Sequence, residues 1–126
     1  MEKNNSVLVA LCRATEWDRQ IDLDIALSIG WTKMPENIYR AGLKDPEGAF
    51  HWTPPLYTGS IDAAMRLVPE GYYVSVERFS DGWYAEVAPK SNLPGFDGRQ
   101  KPAAIALCIA AIKARAAAEN EKVTAP

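Results

Sequence analysis

Residues 72–88, running Tyr72-Tyr-Val-Ser-Val-Glu-Arg-Phe-Ser-Asp-Gly-Trp-Tyr-Ala-Glu-Val-Ala88, restrict the possible folds more than any other stretch of the chain. Tyr72, Val74 and Val76 alternate with Tyr73, Ser75 and Glu77, and Trp83, Ala85 and Val87 alternate with Tyr84, Glu86 and Ala88. A period of two places each set on one side of an extended strand, so the segment predicts a β-hairpin with one apolar face. Asp81-Gly82 marks the turn, because those residues tolerate positive φ at low cost. A two-residue Asp81-Gly82 loop would set Glu77 opposite Glu86, and facing like charges repel. A four-residue loop, Phe79 to Gly82, avoids this and pairs Val74 with Val87, Val76 with Ala85 and Arg78 with Trp83. That register is the expected one.

A lone hairpin is marginal in water, so the rest of the chain must cover it. Ser6 to Arg13 predicts a short helix capped by Ser6, with Leu8, Leu11 and Cys12 on one face. A second helix is expected from about Glu16 to Ile29, with Trp17, Ile21, Ile25 and Ile29 four apart and Gly30 as its stop. Residues 32–59 hold prolines and glycines with little periodicity and read as a long loop, inside which Ala49 to Thr53 is the expected third strand. Ser60 caps a short helix carrying Ile61, Ala64, Met65 and Val68, ended by Pro69-Glu70-Gly71. Pro89 to Lys101, with Pro94-Gly95 and Asp97-Gly98, reads as a surface loop. A last helix is expected from Pro102 to Ala118, its stripe formed by Ile105, Cys108, Ile109, Ile112 and Ala116 and its alanines permitting close approach to a sheet.

The order helix, helix, strand, helix, strand, strand, helix predicts an α/β (α+β) domain over residues 1–118, with a small antiparallel sheet of about three strands covered by helices. Residues 119–126 read as a frayed polar tail. A length of 126 residues suits one such domain.

Composition narrows the function classes. The formal net charge of −2 and the lack of a basic block argue against nucleic acid as a partner, since that affinity comes mostly from Lys and Arg on phosphates. Cys12 and Cys108 fall among apolar residues, as buried inert thiols do, and with no secretory leader or membrane-length segment a cytoplasmic protein is expected.

Three stretches, Asp18 to Trp31, Trp52 to Gly71 and Pro102 to Ala116, together resemble the phage ABA-sandwich (alpha-beta-alpha) domain family of small phage and prophage proteins. The resemblance spans roughly Leu8 to Ala116. It implies a phage or prophage origin, which would make the expected cytoplasm a bacterial host's, and an alpha-beta-alpha sandwich, and it implies no activity, because no catalytic motif defines the family.

Chemistry-bearing residues are few. Glu77 and Glu86 across the hairpin offer a carboxylate pair for a hydrolase, although exposed hairpin faces carry charge for solubility. Asp18 and Asp22, one helical turn apart, offer two oxygens to a cation, although acidic residues at a helix start serve the dipole. His51 is the single histidine, which removes multi-histidine metal sites. Neither a nucleophile elbow nor a phosphate-cradling glycine loop occurs. No catalytic residue, metal site or cofactor is therefore expected.

The richer signal is an aromatic and cationic set. Tyr39, Arg40, Phe50, His51, Trp52 and Tyr57 lie in or beside the long loop, and Arg78 and Trp83 lie on the hairpin. Aromatic faces stack on bases and guanidinium groups grip phosphates, so the set suits a nucleotide-like small molecule. The same residue types are enriched in protein interfaces, so a host or phage protein is the alternative partner, and an open sheet edge would also allow a homo-oligomer. A third alternative is structural, with Trp52 and Trp83 filling the gap between sheet and helices.

Overall fold

The computed structural model describes residues 2–35, 42–90 and 94–124. They form helices α1 (Glu2–Arg13), α2 (Arg19–Ser28), α3 (Ile61–Met65) and α4 (Ala103–Thr124) and strands β1 (Thr32–Lys33), β2 (Leu43–Lys44), β3 (Phe50–His51), β4 (Tyr73–Phe79), β5 (Gly82–Ala88) and β6 (Phe96–Gln100). The strands make two antiparallel sheets, β1-β2-β3 and β4-β5-β6. The class is mixed α and β, a small antiparallel sheet of three strands covered by helices, as the element order predicts.

The hairpin adopts the expected register, Val74 opposite Val87, Val76 opposite Ala85 and Arg78 opposite Trp83. Pairing continues to Phe79 opposite Gly82, so the connection is Ser80-Asp81 and not four residues. Asp81 does not supply a positive φ; Gly82 alone in the turn does, at +154°. Glu77 faces Tyr84 and Glu86 faces Ser75, which keeps the two carboxylates from opposing one another.

The third strand of this sheet is β6, not residues 49–53. Phe96–Gln100 lies against the far side of β5, with Gly98 opposite Ala85. Asp97-Gly98 looks like a turn signal in sequence, but the glycine serves a close approach: a Cβ at Gly98 would run into the Ala106 carbonyl oxygen and lie 2.8 Å from the Ile109 Cβ. Phe50–His51 is extended as expected, yet it pairs with Leu43–Lys44 in the smaller sheet. The segment read as a long loop is therefore in part a three-stranded meander.

Helix α4 is the centre of the core. Every residue from Ala104 to Ile112 is buried, including the whole expected stripe through Ile112, and the helix packs on the larger sheet as well as on α1 and α3. A helix enclosed on all sides needs small residues to let its neighbours near, which is what the alanines provide. It runs on past Ala118 to Thr124. On the other face of the larger sheet Tyr73, Ser75, Glu77, Asp97 and Arg99 are exposed.

Helix α1 begins at Glu2, so Ser6 lies inside it and is no cap. Val7 and Leu11 face the core, whereas Cys12 is exposed and not buried as its apolar neighbours suggest. The Gln100 side-chain amide donates to the carbonyls of Leu11, which the Ala14 amide also reaches, and of Cys12 at the helix end.

Helix α2 starts later than expected. Asp18 is its cap, accepting from the amides of Gln20 and Ile21, and Trp17 lies outside the helix at 58% exposure. Gly30 at φ +105° ends it, with the Trp31 amide returning to the Ala26 carbonyl at 3.1 Å. Losing a cap of this kind costs about 1 kcal/mol, so Asp18→Ala should lower the urea midpoint by that equivalent with an unchanged slope. Ser60 caps α3 as predicted, accepting from Ala63. Ala64 and Leu67 carry its buried side, while Ile61 and Met65 are exposed. No helix among the described residues is long and apolar enough to cross a membrane.

Candidate functional site

A knot of buried polar groups shapes the site. Asp22 is fully buried, and its carboxylate accepts from the Thr58 amide at 2.8 Å, the Thr58 hydroxyl at 2.8 Å and Arg19 Nη1 at 2.7 Å. Arg19 Nη2 in turn donates to the Pro54 carbonyl at 2.7 Å. These bonds fasten the segment Pro54–Thr58, which runs into a turn closed by the Gly59 amide on the Leu56 carbonyl, across the start of α2. The Asp18 and Asp22 carboxylates are thereby consumed by the cap and the knot. Among the described residues no group of three or more acidic, histidine or cysteine side chains is arranged to hold a metal ion.

Beside this segment opens a cavity of about 660 Å³, within the range of small-molecule sites. Trp31 and His51 line one part of it, their ring centroids 4.8 Å apart and their planes tilted by 48°. His51 Nε2 donates to Asp45 at 2.8 Å, since an ionised carboxylate can only accept. Asp45 also accepts from the amides of Glu47 and Ala49, closing the β2–β3 turn. The hydrogen bond from His51, followed by that from Ala49, holds the Asp45 carboxyl below the usual carboxylate range. The imidazole is thus fixed in orientation at the cavity edge.

Arg19, Arg66 and Arg115 line the same cavity. Arg19 is matched by Asp22, and Arg115 spends one donor on the Leu67 carbonyl at 3.3 Å. Arg66 is exposed at the end of α3, where its backbone amide bonds the Ala63 carbonyl, but its guanidinium has no hydrogen bond or ion pair among the described residues.

Tyr57 lies between these groups and α4. It is only 2% exposed, and its carbonyl accepts from the Cys108 thiol at 3.2 Å. Its hydroxyl has no hydrogen-bond partner among the described residues, and none of their fully enclosed side-chain oxygens or nitrogens lacks one. The hydroxyl therefore reaches the open space of the cavity that Tyr57 lines. Burial pushes the phenol up to about 12 from 10, against the pull of Arg115 and Arg66. Burial also pushes the Cys108 thiol up, leaving it inert.

The phenol has a consequence for stability. The unfolded chain loses the Tyr57 proton near the ordinary value of 10, the folded chain only near 12. Between those values the unfolded state binds fewer protons, so stability falls as pH rises from 10 to 12. Chemical denaturation across that window should show the decline, and Tyr57→Phe should make it shallower, the remainder coming from the Cys108 thiol, which burial raises in the same direction.

Of the residues singled out in sequence, His51 and Tyr57 meet in the cavity. Trp52 is 56% exposed and packs edge-to-face on Phe50 with centroids 4.7 Å apart. Because strand side chains alternate, His51 turns to the cavity and its neighbours turn away. Arg78 and Trp83 are cross-strand partners at the hairpin tip, where Trp83 borders a separate hollow with Arg99. Tyr39 and Arg40 lie outside the described residues. Glu77 and Glu86 border no part of the cavity, and Glu86 accepts from the Tyr84 hydroxyl at 3.0 Å.

Sequence reasoning missed Trp31, Asp45 and the three arginines. Asp45-Pro-Glu-Gly48 was visible as a turn, and a turn aspartate six residues before the single histidine could have suggested the pair. Nothing local marks Arg66 or Arg115, which come from separate helices joined only by tertiary packing. Set beside family models, curated proteins and solved structures, the chain matches none of them.

Proposed function

We propose that this chain is a non-enzymatic phage or prophage accessory protein that binds and sequesters a nucleotide-derived small molecule, a host immune signal, and so counters bacterial defence. The phage assignment is supported by the three stretches that resemble the ABA-sandwich family. The ligand class is supported by one observation above the rest: an aromatic pair, Trp31 and His51, and two incompletely matched guanidinium groups, Arg66 and Arg115, line one cavity of about 660 Å³. A base stacks on the former and a phosphate binds the latter. Isothermal calorimetry against cyclic dinucleotides and ADP-ribose derivatives tests the proposal. Saturable heat at one ligand per chain is expected from at least one of them, and silence from all would refute it.

The exposed Phe50–Trp52 pair favours a second reading, a protein-interaction module that inhibits or assembles with a host or phage protein. Phe50→Ala with Trp52→Ala separates the two readings. It should leave ligand heat intact under the first and abolish retention of a polypeptide partner under the second.

A further inference from the structure

We infer that the cavity contains a phosphate subsite built from Arg66, Arg115 and the Tyr57 hydroxyl, so that a nucleotide-like ligand enters in one polarity, its phosphate on these three groups and its ring on His51 and Trp31. This rests on the ligand class proposed above and adds the orientation and the residues that set it.

Three independent features converge on that subsite. Tyr57 is only 2% exposed, yet its hydroxyl opens on the cavity without a partner among the described residues. A polar group brought this far into a core is normally satisfied, so a bare phenol donor is a position prepared for an acceptor. Arg66 and Arg115 line the same cavity as Tyr57, and their positive charge favours its ionised form. The Arg66 guanidinium has no partner among the described residues and that of Arg115 has one carbonyl, so donors remain on both guanidinium groups.

The other part of the cavity has the opposite character. Asp45 and Glu47 border it beside His51 and Trp31. Carboxylates repel phosphate but accept from amino or hydroxyl groups, as a base or ribose would present. An anionic chain long enough to reach from the arginines to these carboxylates would be opposed there, which a molecule as short as pyrophosphate is not, whereas a ligand with a phosphate at one end and a ring at the other meets complementary groups along its length.

The test uses the full chain and two probes, inorganic pyrophosphate and the tightest-binding nucleotide from the calorimetric panel, against wild type, Arg66→Gln and Tyr57→Phe. Arg66 is exposed and unpartnered, so its replacement keeps the fold, which circular dichroism verifies. Both probes should bind wild type and weaken about tenfold or more in Arg66→Gln, the loss of a charge-assisted hydrogen bond, with a smaller loss in Tyr57→Phe. If the nucleotide binds and neither replacement changes its affinity, the subsite is wrong and the ligand class stands. If pyrophosphate binds equally well to all three proteins, the subsite is wrong as well. If neither probe binds wild type, the ligand class and the subsite fall together.

Discussion

Asp22→Ala is expected to destabilise the protein by about 3–5 kcal/mol, a large share of the stability of a domain this size. The carboxylate is fully buried and serves three donors, the Thr58 amide, the Thr58 hydroxyl and Arg19 Nη1. Its removal strands an amide in the core and leaves Arg19 without its counter-charge, and the unpaired groups dominate the cost. Urea denaturation should show the midpoint falling by roughly 2 M at a typical slope for a small domain. Thr58→Val removes the hydroxyl but keeps the backbone amide on Asp22, so its cost should stay near 1 kcal/mol. A loss of similar size in the two variants would mean that the amide bond contributes little. Because the same knot fastens Pro54–Thr58, ligand affinity should also drop in Asp22→Ala under conditions where it is still folded.

Gly98→Ala is the second severe change, at about 3 kcal/mol, the upper end of what overpacking costs. The added methyl would meet the Ala106 carbonyl oxygen and the Ala110 amide nitrogen, at 3.0 Å for the latter, and backbone atoms in mid-helix cannot rotate aside. Helix α4 would have to lift from β6, opening a close helix–strand contact in the core. Gly48→Ala is the control: φ there is +94° with open space around it, so only backbone strain of about 1 kcal/mol is expected. Equal losses at Gly98 and Gly48 would show that the helix–sheet contact is not tight.

These two positions also show where the sequence is informative and where it is silent. The hairpin was legible to the register, because alternation and the repulsion of Glu77 from Glu86 act between neighbours in the ribbon. Helix α4 was legible because an alanine-rich apolar run has few other uses. Gly98 misled, since a glycine demanded by a helix crossing overhead looks the same in sequence as a glycine demanded by a turn. Asp22 looked like a helix-start carboxylate because its main partner, Thr58, is 36 positions away. The site was half legible for the same reason. His51 and Tyr57 stood out as rare or bulky residues near prolines, but Arg19, Arg66 and Arg115 join them only through packing of three helices. Arg78 and Trp83 shared their chemistry without sharing their place.

The proposed function depends most on a nucleotide-like ligand lodging between the β2–β3 hairpin, the end of α3 and the middle of α4. Backbone amide shift mapping by NMR, with the tightest ligand of the calorimetric panel titrated to saturation, reads this directly. The predicted outcome is a set of perturbed amides centred on Trp31, His51, Tyr57 and Arg66, with the hairpin-tip amides of Arg78 and Trp83 unmoved. Perturbations centred on the hairpin, with the cavity amides silent, would contradict it.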